Sequence, residues 1–321
     1  MLPLKFPFLI EISQSQILLV VGITIVLTLT GFVIFRRMLF HWKRNILLKE
    51  QNQDFFRQKI EFEAQKNELE KKSAQLRDSI EYARRIQDAL FNTEQMLSIN
   101  FPESFVFQKP KDIVSGDFLY VSETARGPLI AMADCTGHGV PGALLSVAAY
   151  SLLEESLNSG FESPDKLLEN LNNSFIKAFH PWSENSPKSG IDLAALSVDK
   201  ENRKLYFSGA RGRILIVGKN SVREFRGEAV SIGEKPDCIF PLQEISLSEQ
   251  DTVFVFSDGF PDQKGGPAGK KFMMEPFRNF LKELAKLPLK KSPGLIDREL
   301  RAWMADRSQM DDILIAGFRI E

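Results

Sequence analysis

Ala133-Asp134-Cys135-Thr136-Gly137-His138-Gly139-Val140-Pro141-Gly142-Ala143 joins an apolar run, Pro128 to Ala133, to a helical pattern from Ala143 to Asn158. The apolar run reads as a buried strand, and Pro141 falls near the first turn of the helix. An acid at the end of a strand is aimed by a rigid element. The glycines beside it let backbone oxygens or ligands approach closely, which suits a bound cation. A plain structural turn has the same glycines, so the weight of the reading falls on the other acids of the chain.

Those acids recur at the same kind of place. Ser104 to Lys109 alternates as a strand ended by Pro110, and Ser115-Gly116-Asp117 opens a further strand through Val121. Asp192 begins the run to Val198, and Lys204 to Ser208 and Arg213 to Val217 are two more short strand patterns. Thr252 to Phe256 is a buried strand leading into Ser257-Asp258-Gly259, and Asp311-Asp312 opens a last strand to Ile320. Between them, Ser163 caps a helix that starts at Pro164 and runs through Phe179, and His180 to Ser189 reads as an exposed loop. Helical patterns cover Phe272 to Ala285 and Gly294 to Ala305, with a glycine-rich loop, Lys264 to Gly269, before them. Strands outnumber helices, and the helices fall in two pairs. That pattern predicts an α+β fold, sheet packed on sheet with helices outside.

If the strand ends converge, Asp117, Asp134, Asp192, Asp258 and Asp311/Asp312 pool in one place. Close carboxylates raise one another's pKa, and hard divalent cations such as Mg²⁺ or Mn²⁺ relieve the repulsion. Two such ions activate a water and clamp a phosphoryl oxygen, the chemistry of phosphate-ester hydrolysis. His138 is a candidate proton donor or a brace for the glycine turn. Lys109, Lys111 and Arg211 are candidates to neutralise a substrate phosphate, with surface solvation as the simpler alternative.

The rest of the chain concerns delivery. Ile12 to Phe35 carries no charge, and Arg36, Arg37, Lys43 and Arg44 follow it at once. The length fits a tilted membrane helix, and the basic flank places the C-terminal bulk in the cytoplasm. A signal peptide is the weaker alternative, because no cleavage pattern follows. Lys43 to about Leu97 is charged and free of Gly and Pro, with an apolar seam at Leu48, Phe55, Phe62, Leu69, Leu76, Ala83, Leu90 and Leu97. The companion seam holds Gln51, Gln58, Gln65 and Lys72, so a marginal coiled-coil dimer and a plain spacer helix both fit. A formal net charge of −1 argues against nucleic acid as partner, and Cys135 and Cys238 as the only cysteines fit a reducing compartment.

Val114-Ser-Gly-Asp-Phe118, Ala133 to Ala143, Phe256-Ser-Asp-Gly-Phe-Pro-Asp-Gln263 and Met310-Asp-Asp-Ile-Leu314 together resemble the signature motifs of the SpoIIE-like branch of PPM-type serine/threonine protein phosphatases. Order and spacing match from about Ile80 onward. The resemblance implies a four-layer α-β-β-α sandwich of two antiparallel sheets, and two Mn²⁺ or Mg²⁺ ions. By the same resemblance Asp134 bridges both metals, Cys135 contributes its backbone carbonyl where glycine is commoner, and Asp117 serves the second metal. Asp258 and Asp311 complete the first, and Asp312 sits beside them where relatives have Asp or Asn. The resemblance also implies a phosphorylated regulator, such as a STAS-type anti-sigma-factor antagonist, as substrate. It further implies switching through a preceding helix, here Ile80, Ala83, Ile86 and Leu90.

The expected layout is a short extracytoplasmic segment over residues 1–14, a membrane helix over 15–37, a signalling helix over 38–97 and the phosphatase domain over 98–321. The expected setting is the inner membrane, single-pass, with homodimerisation through the helix and an input partner in the membrane or on the helix. Two rivals are a non-catalytic membrane-tethered scaffold and a two-metal phosphodiesterase.

Overall fold

The structure is a computed structural model, and it describes residues 13–91, 93–161, 163–179, 190–219 and 221–320. Most of the expected N-terminal segment, residues 1–12, and the expected loop His180–Ser189 lie outside the described residues. The chain divides into two units, Met1–Gln75 and Leu76–Glu321. The first unit is helix throughout its described part, belonging to α1 (Gln14–Leu90). Its opening stretch is long and apolar enough to cross a membrane, and none of that stretch is buried by protein. Further along, i,i+4 pairs such as Lys72–Glu68 at 2.7 Å line its surface, and the seam residues Phe62 and Leu69 stand exposed.

The second unit is built on two five-stranded antiparallel sheets. One sheet has β2 (Phe118–Thr124), β3 (Gly127–Cys135), β4 (Ile191–Asp199), β5 (Lys204–Ala210) and β8 (Gln243–Ser246), in that order. The other has the order β1 (Ser104–Lys109), β12 (Ile313–Arg319), β9 (Thr252–Phe256), β6 (Arg213–Val217) and β7 (Val222–Arg226). The near-continuous apolar strands are explained by what lies on each face. In β3, Ile130 and Met132 enter the core between the sheets, where Val253 and Val255 of β9 also lie. The alternate residues Leu129, Ala131 and Ala133 face Leu145, Ala149 and Leu153 of α3 (Gly139–Asn158) and Leu167 and Leu171 of α4 (Pro164–Phe179). Phe254 and Phe256 turn the other way, to Phe277 and Leu281 of α6 (Met274–Leu284) and Ile296 and Leu300 of α7 (Ser292–Met304). A strand covered on both faces has no polar side to show, so it reads as a run. The expected α-β-β-α sandwich is therefore the fold.

Two details differ from the sequence reading. The apolar seam ends with α1 at Leu90, and Leu97 lies on a separate short helix, α2 (Thr93–Asn100). There it is 1% exposed, in the core between the sheets beside Phe101. Phe91 captures the chain at this point, stacked 5.2 Å from Phe118 and 5.4 Å from Tyr150. The strands β7 and β8, and the hairpin β10 (Lys264–Gly265) with β11 (Lys270–Lys271), have no clear apolar signal because each is exposed or half-buried along most of its length.

Candidate active site

Both sheets deliver acids to the same end of the sandwich. Phe118 pairs with Ala133 and Asp134 with Asp192, so Asp117, Asp134 and Asp192 stand on three neighbouring strands or their extensions. In the other sheet Ile315 pairs with Phe256, which places Asp258 just past β9 and Asp311–Asp312 just before β12. Ser257 fixes that junction. Its N–H donates to the Leu314 carbonyl at 2.9 Å, and its hydroxyl accepts from the Leu314 N–H at 3.0 Å. A short helix, α5 (Gly259–Asp262), follows at once.

The centre of the site is the buried side of this group. Asp117 is 2% exposed, its Oδ2 has no hydrogen-bond partner, and it interacts with the Ser257 hydroxyl and the Asp134 carboxyl. Burial raises its pKa to about 8, against the Ser257 hydrogen bond, and the charges of Asp312 and Asp311 add to the rise. Asp134 is pushed well up by burial and then by Asp117, Asp258, Asp192 and Asp311. Such a pair cannot hold two full negative charges unaided, so it keeps a proton or takes a cation. Asp258 is raised to about 6 by desolvation of its carboxyl and then by Asp262, Asp311 and Asp192. Asp192 belongs to the same group. Its Oδ1 accepts from the Ser231 hydroxyl at 2.5 Å, and burial raises its pKa.

Asp312 is engaged by backbone groups. Its two oxygens accept the Lys111 and Gly116 N–H groups, each at 2.7 Å, so it clamps the loop that carries Asp117. These contacts brace the loop, and the adjacent Asp311 is exposed. Gly116 has to be glycine here. A Cβ on it would come within 2.8 Å of the Gly137 carbonyl oxygen and 3.1 Å of the Cys135 one. The Cys135 side chain enters the core under α3 and α4 while its carbonyl oxygen lies beside Gly116.

The other expected residues are present but engaged. His138 Nδ1 lies 3.0 Å from Asp112 Oδ2, and both side chains are about half exposed. Lys109 binds Asp297 of α7 at 2.7 Å and Arg211 binds Glu234 at 3.1 Å, so neither is a free cation waiting for phosphate. On α1, Ile80 and Ala83 are half-buried while Ile86 and Leu90 are exposed. The residue that reaches the site from this helix is Gln87, which is 5% exposed. Its amide donates to the Ser115 carbonyl and the Ser146 hydroxyl, each at 2.9 Å, and its oxygen accepts the Ser115 N–H at 3.2 Å. The available signal in the sequence is a polar residue in line with Ile80, Ala83 and Phe91, on a different stripe from the apolar seam.

The donor set fits hard divalent cations. It is all oxygen, it contains an orphaned buried carboxylate oxygen, and desolvation raises the pKa of Asp117, Asp134 and Asp258. Among the described residues no three His, Cys, Asp or Glu side chains are already closed around one point.

Comparison with known proteins agrees with this geometry. The profile of the family described as Stage II sporulation protein E (SpoIIE) matches residues 125–321. The SiaA-PP2C domain of Pseudomonas aeruginosa is 30% identical, with a TM-score of 0.72 over 78% of this chain and 98% of that one. The PP2C phosphatase domain of the cell fate determinant SpoIIE from Bacillus subtilis, with a fragment of its regulatory domain, shares the fold at 18% identity. Its TM-score is 0.55, over 68% of this chain and 63% of that one. No curated protein sequence matches.

Proposed function

The chain belongs to the SpoIIE family, homologous to PPM-type serine/threonine phosphatases, and from that premise we propose a membrane-anchored, metal-dependent phosphatase acting on phosphoserine or phosphothreonine of a regulatory protein. The observation that carries this reading is buried Asp117, with its unsatisfied carboxylate oxygen, beside half-buried Asp134 and within electrostatic reach of Asp258 and Asp311. These residues and the Cys135 carbonyl would hold two Mn²⁺ or Mg²⁺ ions, with Asp134 shared. When bound, the ions neutralise charge on the phosphoryl group and activate a water. The chain's own part is positioning. Asp312 and Ser257 hold the loop and strand junction still, and His138, paired with Asp112, is our candidate proton donor to the leaving hydroxyl.

Regulation is proposed to enter through Gln87. The part of α1 from Leu76 to Leu90 belongs to the same unit as the site, and Gln87 holds both backbone groups of Ser115, two residues from Asp117. Rotation or pairing of this helix would release or seat that loop. The exposed seam at Phe62, Leu69 and Leu76 supports a homodimer as the signalling form. The apolar start of α1 and the basic residues after it support a single inner-membrane pass with the catalytic unit in the cytoplasm. A STAS-type anti-sigma-factor antagonist is the substrate class that the motif resemblance favours.

The test is phosphate release by the full chain in detergent micelles from a phosphoserine peptide and from a phosphodiester, with Mn²⁺ or with chelator. Release from the monoester alone, lost with chelator, is the expected result. Release from the diester alone, or from neither substrate, would turn the reading to a phosphodiesterase or a scaffold.

A further inference from the structure

The hairpin formed by β10 and β11 carries a local excess of positive charge beside the acid site. Lys264 pairs directly with Lys271, Lys270 is adjacent, and all three are exposed. Like charges opposed across a two-stranded ribbon are unfavourable, so this arrangement works against the hairpin's own stability. Lys271 binds Asp262 at 2.7 Å and its charge is felt at Asp258, which fixes the hairpin's position relative to the site. Among the described residues, Lys264 and Lys270 form no ion pair.

The hairpin is nonetheless built rigidly. Trp303 of α7 lies under it, donating from Nε1 to the Gln263 carbonyl at 2.9 Å and accepting the Gly266 N–H on its own carbonyl at 2.8 Å. The fit is close enough that a Cβ on Gly265 would lie 2.2 Å from the Trp303 carbonyl oxygen. Exposed Arg307 adds a fourth cation, donating to the Gly266 carbonyl at 2.9 Å. At the base, fully buried Gln263 donates to the Ser308 carbonyl at 3.1 Å and accepts the Met310 N–H at 2.9 Å. The ribbon is thereby tied to the segment that ends in Asp311.

We infer that this hairpin is a docking platform for an acidic stretch flanking the phosphorylated residue of the substrate, an inference that rests on the phosphatase reading. The cations offset the field of the aspartates, which otherwise repels an anionic phosphoprotein, and an acidic segment laid along the ribbon relieves the Lys264–Lys271 repulsion.

The experiment uses the full chain in detergent micelles with Mn²⁺ and three substrates. Two are phosphoserine peptides of equal length, with Asp/Glu flanks or Lys/Arg flanks, and the third is p-nitrophenyl phosphate, which has no flanks. The acidic peptide is expected to be preferred by about tenfold in kcat/KM, through KM, with the preference shrinking as salt rises. Lys264→Glu with Lys270→Glu is expected to remove that preference and leave p-nitrophenyl phosphate turnover unchanged. No peptide preference in the parent chain, or an equal loss on all three substrates in the variant, overturns the inference. If the parent hydrolyses none of the three, the phosphatase reading fails instead. Fluorescence anisotropy of the acidic peptide then decides docking alone: tighter binding to the parent than to the variant supports it, and equal binding overturns it.

Discussion

The two sheets contribute acids of different kind to one site. From the sheet of β2, β3 and β4 come Asp117, Asp134 and Asp192, raised chiefly by burial. From the sheet of β9 and β12 come Asp258 and Asp311, both exposed as residues, with Asp258 moved only to about 6. In the first set Asp117 is buried and Asp134 and Asp192 are half-buried, and desolvation is the chief cause of the rise in all three. A cation held by both sets would gain most beside buried Asp117, because attraction is stronger where water is excluded.

That asymmetry sets the order of expected effects. Asp134→Asn should abolish the most activity, beyond the roughly 10–100-fold that loss of a supporting residue costs at metal sites. Steady-state hydrolysis of p-nitrophenyl phosphate by the full chain measures it. A loss at Asp258 or Asp311 larger than that at Asp134 would invert the comparison. Asp312→Asn keeps the shape but weakens the clamp on Lys111 and Gly116, and should fall within about 10–100-fold, with weaker Mn²⁺ dependence in a metal titration. A loss as large as that of Asp134→Asn would return Asp312 to the ligands.

Gln87→Ala leaves the buried Ser115 N–H without its partner, while the Ser115 carbonyl keeps the Ser146 hydroxyl at 3.2 Å, at a cost of about 1–3 kcal/mol. Its effect should appear as a several-fold change in the Mn²⁺ concentration needed for half-maximal turnover, with kcat at saturating Mn²⁺ nearly intact. An unchanged metal requirement would remove the helix from control of the site.

A separate expected effect, read in stability rather than in turnover, is its dependence on pH. Without metal, Asp117 titrates near 8 in the folded chain and near 3.8 when unfolded. Between those values the unfolded state has released a proton that the folded state keeps, so stability is greatest below about pH 4 for this group and falls as pH rises toward 8. Thermal melts in chelator should therefore decline over that range from this contribution, and added Mn²⁺ should flatten the decline. A chelator series whose Asp117→Asn variant shows the same slope as the parent would deny that Asp117 is the origin.

Much of this was legible in the chain, and the reasons differ by region. Runs such as Thr252 to Phe256 announce strands because both of their faces are buried, and each acid at a strand end is visible beside its run. Periodicity does not say which acid binds and which braces. Asp311 and Asp312 are adjacent and chemically identical, and only the hydrogen bonds to Lys111 and Gly116 separate them. The same limit hid Gln87, whose burial depends on contacts with residues 28 to 59 positions away. Lys109 looked free because its partner Asp297 lies on α7, far along the sequence.

The central claim is that the buried aspartates form one site that exchanges a proton for a divalent cation. Isothermal titration of the full chain with Mn²⁺ at pH 7, in two buffers of different ionisation enthalpy, tests it directly. Binding that releases about one proton, from a carboxyl that titrates near 8, is the expected result. The same titration of Asp117→Asn should bind more weakly and release less. Mn²⁺ binding with no proton released, or no binding at all, would contradict the account.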